Sequence, residues 1–285
     1  MIKKTVISSL WLLLIVLPVA SAGDWDDLNA QVVRAYQVGN YAKAVEIAEQ
    51  SLKLAQQEFG HRHPNTLTSM SNLAEMYRSQ GRYELAEPLN VETLALRKET
   101  LGLKHPGTLR SMNNLALLYL SQGRYDLAEP LFVETLALRK EILGLKHPST
   151  LISMNSLAGL YESQGRYDLA EPLYVEALAL RKEALGLKHP ATLISMNNLA
   201  VLYQFQGRYD LAEPLYVESL ALTKEVLGLK HPNTLTSMSN LSRYYQSLGR
   251  YDLAEPLKIE TLALRKEVLG LKHPSTLISM QHLAA

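Results

Sequence analysis

A 42-residue step runs through the chain and constrains it more than any other feature. Gly-Arg-Tyr occupies 81–83, 123–125, 165–167, 207–209 and 249–251, and Leu-Gly-Leu-Lys-His-Pro begins at Leu101, Leu143, Leu185, Leu227 and Leu269. A degenerate copy, Gly39-Asn40-Tyr41, extends the register one step earlier. A fixed period of this length marks a solenoid: one unit cannot bury its own apolar face, and stacked copies build a continuous core between them. Length alone, 285 residues, would suggest one or two globular domains, and the period overrides that count.

The unit that starts at Pro106 shows the internal logic. Leu109, Met112, Leu115, Ala116 and Tyr119 recur at helical spacing and define one apolar face. Pro106 suits a first helical position, where its missing N–H costs nothing. Gln122-Gly123 ends this helix, because glycine makes the left-handed exit without steric penalty. A second helix is predicted from about Tyr125 to Leu143, with Ala128, Leu131, Thr135, Leu138 and Ile142 as its buried stripe. Arg139 and Lys140 fall near its C-terminal end, where cations complement the helix dipole, and Gly144 closes it. The turn between the helices is too short for anything but antiparallel packing. Pro130 and its equivalents Pro88, Pro172, Pro214 and Pro256 fall near the start of the second helix, where a proline forfeits at most one backbone bond.

This pattern predicts an all-α, right-handed solenoid of antiparallel helix pairs. Residues 1–22 read as a signal peptide and 23–63 as a divergent first pair. Five regular repeats fill 64–273, and 274–285 begin a further first helix. The leader reading rests on Lys3 and Lys4, the apolar run Leu10–Leu17, Pro18 and the small-x-small site Ala20-Ser21-Ala22, which place cleavage between Ala22 and Gly23. The apolar run is shorter than the ~20 residues of a spanning helix, so any membrane contact would be through this segment left uncleaved. The expected location is outside the cytoplasm, periplasmic or secreted.

Charge and composition narrow the function. The formal charge of +1 drops by two, to −1, when Lys3 and Lys4 leave with the leader. Such a balance argues against nucleic acid or an anionic membrane surface as partner. Absence of cysteine removes disulfides, thiol catalysis and thiolate metal sites. One histidine per repeat precedes proline, at His63, His105, His147, His189, His231 and His273. Stacked helix pairs hold equivalent residues ~10 Å apart, whereas zinc needs nitrogens within ~2.1 Å, so these read as loop and cap residues and no metal is expected. Neither a nucleophile–base pair nor a glycine-rich phosphate loop stands outside the repeat, so no catalytic residue and no cofactor is expected.

The unit resembles the tetratricopeptide repeat in its 42-residue form, the kind found in kinesin light chains. Leu115, Ala116 and Tyr119 match the first-helix signature; Gly123, Tyr125, Ala128 and Phe132 match the turn and second helix. Met112 stands where many such repeats carry tryptophan, as do Met70, Met154, Met196, Met238 and Met280. The heptad segment that would bind a motor heavy chain has no counterpart here.

Near-identical copies freeze the packing positions, so variation points to the face released from packing. On the first helix that line is Arg110, Asn113, Leu117 and Leu120, with Ile152, Asn155, Gly159 and Glu162, then Ile194, Asn197, Val201 and Gln204, as its equivalents. The earlier and later copies carry Thr68, Ser71, Glu75 and Arg78, and Thr236, Ser239, Arg243 and Gln246. The resemblance implies that first helices line a concave groove that grips a peptide or helix of a protein partner. Asn113, Asn155 and Asn197 are then expected to form an amide ladder for a peptide backbone. Leu117, Leu120, Val201 and Phe205 would supply apolar contact, and Arg110 and Arg243 would meet an acidic group. Asn72, Asn114, Asn198 and Asn240 read instead as structural groups pairing between repeats. The alternative function is a structural spacer or scaffold that self-associates through Leu277, Met280 and Leu283.

Overall fold

The computed structural model describes residues 22–37, 40–271 and 273–284. Met1–Ser21 lie outside the described residues, and the expected cleavage point falls at the first residues of the first helix. Among the described residues there are thirteen α-helices: α1 (Ala22–Gln37), α2 (Tyr41–Phe59), α3 (Pro64–Ser79), α4 (Tyr83–Leu101), α5 (Pro106–Ser121), α6 (Tyr125–Leu143), α7 (Pro148–Ser163), α8 (Tyr167–Leu185), α9 (Pro190–Phe205), α10 (Tyr209–Leu227), α11 (Pro232–Ser247), α12 (Tyr251–Leu269) and α13 (Pro274–Ala284). Each packs on the helix before it and the helix after it, giving a right-handed solenoid. First helices of successive pairs also approach one another, α3 on α5 and α9 on α11 among them, so they form the tighter, inner layer. They line the concave side. The array coils far enough that the Tyr41 ring of the first pair lies 6.5 Å from the His273 imidazole of the last.

Each repeated residue has a packing or hydrogen-bonding reason to recur. The histidine before proline is the N-cap: His105 Nδ1 accepts from the Gly107 N–H at 3.0 Å, and the same bond recurs at His63, His147, His189, His231 and His273. That satisfies one of the N–H groups a helix start leaves open. The threonine three residues on is buried and fastens the connector: Thr108 Oγ1 donates to the Gly102 carbonyl at 2.8 Å, with Arg97 O at 3.2 Å. Gly102, with φ of 83°, holds the conformation that ends α4.

From the second Gly-Arg-Tyr onward the arginine ties its repeat to the one before. Arg124 lies 4.5 Å over the Tyr119 ring and pairs with Glu87 at 2.7 Å, a residue 37 positions back. Arg166–Glu129, Arg208–Glu171 and Arg250–Glu213 repeat the bond. An exposed second tie links Lys104, Lys146, Lys188 and Lys230 to Glu141, Glu183, Glu225 and Glu267. Such half-exposed pairs contribute only ~0–1 kcal/mol each, so they set register more than stability.

The core carries the stability. Met112, Ala116, Ala128 and Phe132 are fully buried, and their copies repeat this at most steps. The stripe expected on the second helix shifts by one position: Leu131 and Leu138 are half-buried and Ile142 is 39% exposed, whereas Phe132, Leu136 and Arg139 are buried. The reason is geometric. A second helix touches first helices on both sides, its own and the next, so its buried arc is centred between them.

Ala170 is fully buried against Leu178, Leu193 and Leu199 in one such seam. Replacing it with leucine forces extra methylenes into a closed crossing, and Ala170→Leu is expected to destabilise the chain by ~1–3 kcal/mol in urea denaturation.

Candidate functional site

The line read from the sequence divides in two. Arg110 and Arg243 are exposed on the inner face, with Ile152 at 49% and Ile194 at 44%. Leu117, Val201, Leu120, Glu162 and Gln204 are half-buried along the same face. Phe205 is 57% exposed and stacks on Tyr167, rings 6.5 Å apart and 3° from parallel. These residues do come together as a surface of apolar and cationic side chains.

The expected amide ladder does not. Asn113 is 6% exposed and Asn197 8%. Asn197 Nδ2, with two N–H donors, has three oxygens in reach: the Leu193 carbonyl at 3.1 Å, Ser219 Oγ at 2.5 Å and Ser237 Oγ at 3.1 Å. Half-buried Asn155, with its amide oxygen turned toward Arg181, accepts from Nη1 at 2.6 Å and Nη2 at 3.2 Å. Asn113 and Asn197 are therefore buried away from a passing peptide backbone, and half-buried Asn155 has its amide oxygen engaged by Arg181. A lone helix pair would leave this position open; the adjoining repeat covers it. The neighbouring column changes roles too. Asn72 pairs with Asn29 at 2.6 Å, but Asn198 and Asn240 line a small concave cavity with Ile194 and Thr236.

What sequence reasoning missed lies beneath this face. Arg97, Arg139, Arg181 and Arg265, at one position of α4, α6, α8 and α12, are each less than a tenth exposed. Arg97 Nη1 donates to the Gly107 carbonyl at 3.3 Å and Ser111 Oγ at 2.8 Å, and Nη2 to the Leu67 carbonyl at 3.1 Å. One guanidinium thus bridges the first helices of two successive repeats. Arg139 bonds Ser149 O and Ser153 Oγ, Arg181 bonds Ala191 O and Ser195 Oγ, and Arg265 repeats the Arg97 set on Ser275, Ser279 and Leu235. Thr223 interrupts the column, and there Asn197 takes Ser237, the serine an arginine would hold. The available signal was the 42-residue recurrence of Arg97, Arg139, Arg181 and Arg265, which a dipole-complementing role near a helix end also explains.

The acceptors in these bonds are carbonyl, hydroxyl and amide oxygens. Burial and the neighbouring Arg110 push Arg97 down to about 10; burial, then Arg110, lowers Arg139, and burial alone lowers Arg181 and Arg265. Positive charge under the groove floor therefore lacks a contacting carboxylate, which favours an anionic visitor above it. Glu162 is half-buried on the same helix as Asn155. Burial raises its pKa although the Tyr174 hydroxyl donates to it at 3.0 Å. Among the described residues no group of three or more His, Asp or Glu could hold a metal ion, and no helix is long and apolar enough to cross a membrane.

Comparison with known proteins agrees with this architecture. The family model of the tetratricopeptide repeat matches residues 34–99, 71–141, 113–183, 149–225 and 192–267. No curated protein matches. Among solved structures, a kinesin light chain of Podosopora anserina with nearly identical repeats is 31% identical, covering 72% of this chain and 97% of that one, with a TM-score of 0.59. BtubC from P. vanneervenii is 23% identical over 84% of this chain and 92% of its own, TM-score 0.61. NprR in complex with its cognate peptide NprX is 16% identical over 91% and 77%, TM-score 0.63. The last two likenesses concern the fold alone.

The buried guanidiniums make a direct prediction. Arg181→Ala removes the donor and leaves Ser195 Oγ, the Ala191 carbonyl and Asn155 without it, so stability should fall by ~1–3 kcal/mol in urea denaturation with helicity retained.

Proposed function

This chain belongs to the tetratricopeptide repeat family, whose arrays serve protein–protein interaction, and we propose that it is a non-enzymatic adaptor holding a peptide or helix of a protein partner in its concave groove. One observation carries the reading: exposed Ile152 and Ile194 adjoin Ser153 and Ser195, which buried guanidiniums hold without touching a carboxylate, and exposed Phe205 adds an apolar side chain at the far end of the same face. Solvated surfaces seldom keep aligned apolar side chains without a use for them. The partner that fits carries large apolar side chains with Asp or Glu between them. Its apolar groups dehydrate Ile152 and Ile194, and its carboxylates answer Arg110, Arg243 and the cationic floor. Backbone recognition by asparagine has no place in this version, because Asn113 and Asn197 are buried and Asn155 is engaged by Arg181. NprR, of the same fold, binds a peptide, which supports a peptide-sized occupant.

Selection from a displayed random-peptide library should enrich acidic sequences with bulky apolar residues. The double substitution Ile152→Asp with Ile194→Asp should weaken the selected peptide at least tenfold with circular dichroism unchanged. Enrichment of basic peptides, or binding indifferent to the double substitution, would refute the groove.

We also propose that the adaptor works outside the cytoplasm, exported by Met1–Ala22. Edman sequencing of the protein recovered from the envelope or medium should begin at Gly23; an intact Met1 on a cytoplasmic product would refute export.

A further inference from the structure

Four of the regular second helices place a guanidinium in the seam that follows them, and one does not. Arg97, Arg139, Arg181 and Arg265 belong to a series with a 42-residue step, in which Thr223 of α10 holds the position before Arg265. Thr223 is 2% exposed, and its hydroxyl donates to the Leu220 carbonyl of its own helix at 3.0 Å. Residue 223 therefore sends no donor across the seam. The groups that an arginine would meet are still in place. Arg97 holds the carbonyl of Gly107, ten residues on, and the hydroxyl of Ser111, fourteen on. Counted from 223, the same two places fall at Asn233 and Ser237.

An asparagine registers the exchange. The Asn155 amide oxygen accepts from Arg181, the arginine of its own repeat, at 2.6 Å. Asn197 is the equivalent residue one repeat on, and the side chain that would serve it is Thr223. Its Nδ2 is engaged by Ser219 and Ser237, while its Oδ1 is buried without a hydrogen-bond partner. Asn113 Oδ1 is unpartnered too, but the Arg139 side chain fills that seam. At Asn197 the space stays open. Asn197, Thr223, Asn233 and Ser237 line a cavity of about 80 Å³, with exposed Ile194 and Thr236 at its rim on the concave face. Among the described residues no charged side chain lines it.

The energetics of such a site point one way. A buried acceptor left without a donor carries its full desolvation cost. The seams on either side show which donor the geometry takes: Arg181 and Arg265 rest on carbonyl and hydroxyl oxygens, with no carboxylate in contact. Dehydrating a cation is offset only when several hydrogen bonds form together. A guanidinium presents five N–H groups in a plane, enough to reach Asn197 Oδ1 and the Asn233 carbonyl at once. An ammonium offers three donors at a single point and fits that spread less well. Like charge is no obstacle, because the column carries one cation in each neighbouring seam and this seam is one short.

The geometry points to a guanidinium-binding pocket between the fourth and fifth regular repeats, built by Asn197, Asn233 and Ser237 and taking an arginine side chain of the bound partner. It rests on the groove reading only for the source of that arginine, a single basic residue in an otherwise acidic, apolar peptide. Ethylguanidinium chloride probes the pocket without any peptide, against equal sodium chloride. At about tenfold its dissociation constant it should raise the melting temperature of the unaltered chain by about 3–6 °C more than that of Thr223→Arg, whose own side chain fills the gap. Thr223→Arg copies the other seams, so it should fold and melt no lower than the unaltered chain. Arg181→Ala opens a second gap of the same kind, and calorimetry should then count two bound ions in place of one; a count still at one would speak against the pocket. In peptides selected on the groove, exchanging arginine for alanine should weaken binding to the unaltered chain at least tenfold and leave binding to Thr223→Arg unchanged. Selected peptides that hold no arginine would overturn the partner as its source and leave a free guanidinium compound as the ligand. Ethylguanidinium binding with no peptide selected would support the pocket and count against the groove alone. No shift beyond the chloride control, or a shift that Thr223→Arg retains, would overturn the pocket whatever the peptides do.

Discussion

A buried guanidinium that reaches from one second helix to the first helices on both sides is the interaction on which the array most depends. Arg97 and Arg265 hold a carbonyl of their own repeat with one nitrogen and a carbonyl and serine of the next with another. Apolar contact between helix pairs is non-directional and would tolerate sliding; five fixed donors on a planar group do not. Leucine and alanine seams supply the free energy, and the arginines fix the step from repeat to repeat. Where Thr223 breaks the column, Asn197, Ser219 and Ser237 rebuild the bridge from amide and hydroxyl groups.

The same device shapes what the inner surface can do. Each arginine spends its hydrogen bonds on neutral oxygens, so its charge is hydrogen-bonded but not neutralised. A row of such charges sits one layer beneath Ile152, Ile194 and their neighbours. On the proposed reading, an apolar surface over a positive floor favours acidic, amphipathic partners, whereas open asparagines would take any backbone.

The period, the paired helices and their ends were all legible in the chain, because they depend on local rules. Proline starts, glycine ends and the capping histidines act within a few residues, and a 42-residue repeat reads as stacked pairs whatever lies beside them. That Arg110, Ile152, Ile194, Phe205 and Arg243 are exposed followed from asking which face varies. Asn113, Asn155 and Asn197 escaped that logic: they share the varying line with Ile152, but the adjoining repeat lies over them. Arg139 escaped because a cation near a helix end has a sufficient local explanation as a dipole complement.

Sequence by itself determined the repeat, the fold class, the family and the side of each helix that packs against its own partner, since all of these follow from hydrophobic periodicity and turn chemistry. Only the tertiary structure decided how far around each helix the burial extends. That depends on the next repeat, which approaches from a direction no single helix pair encodes. It buried Asn113 and Asn197, set Asn155 against Arg181, and placed Arg97, Arg139, Arg181 and Arg265 inside the seams. It also brought Asn197, Thr223 and Ser237, from three helices, to the wall of one cavity.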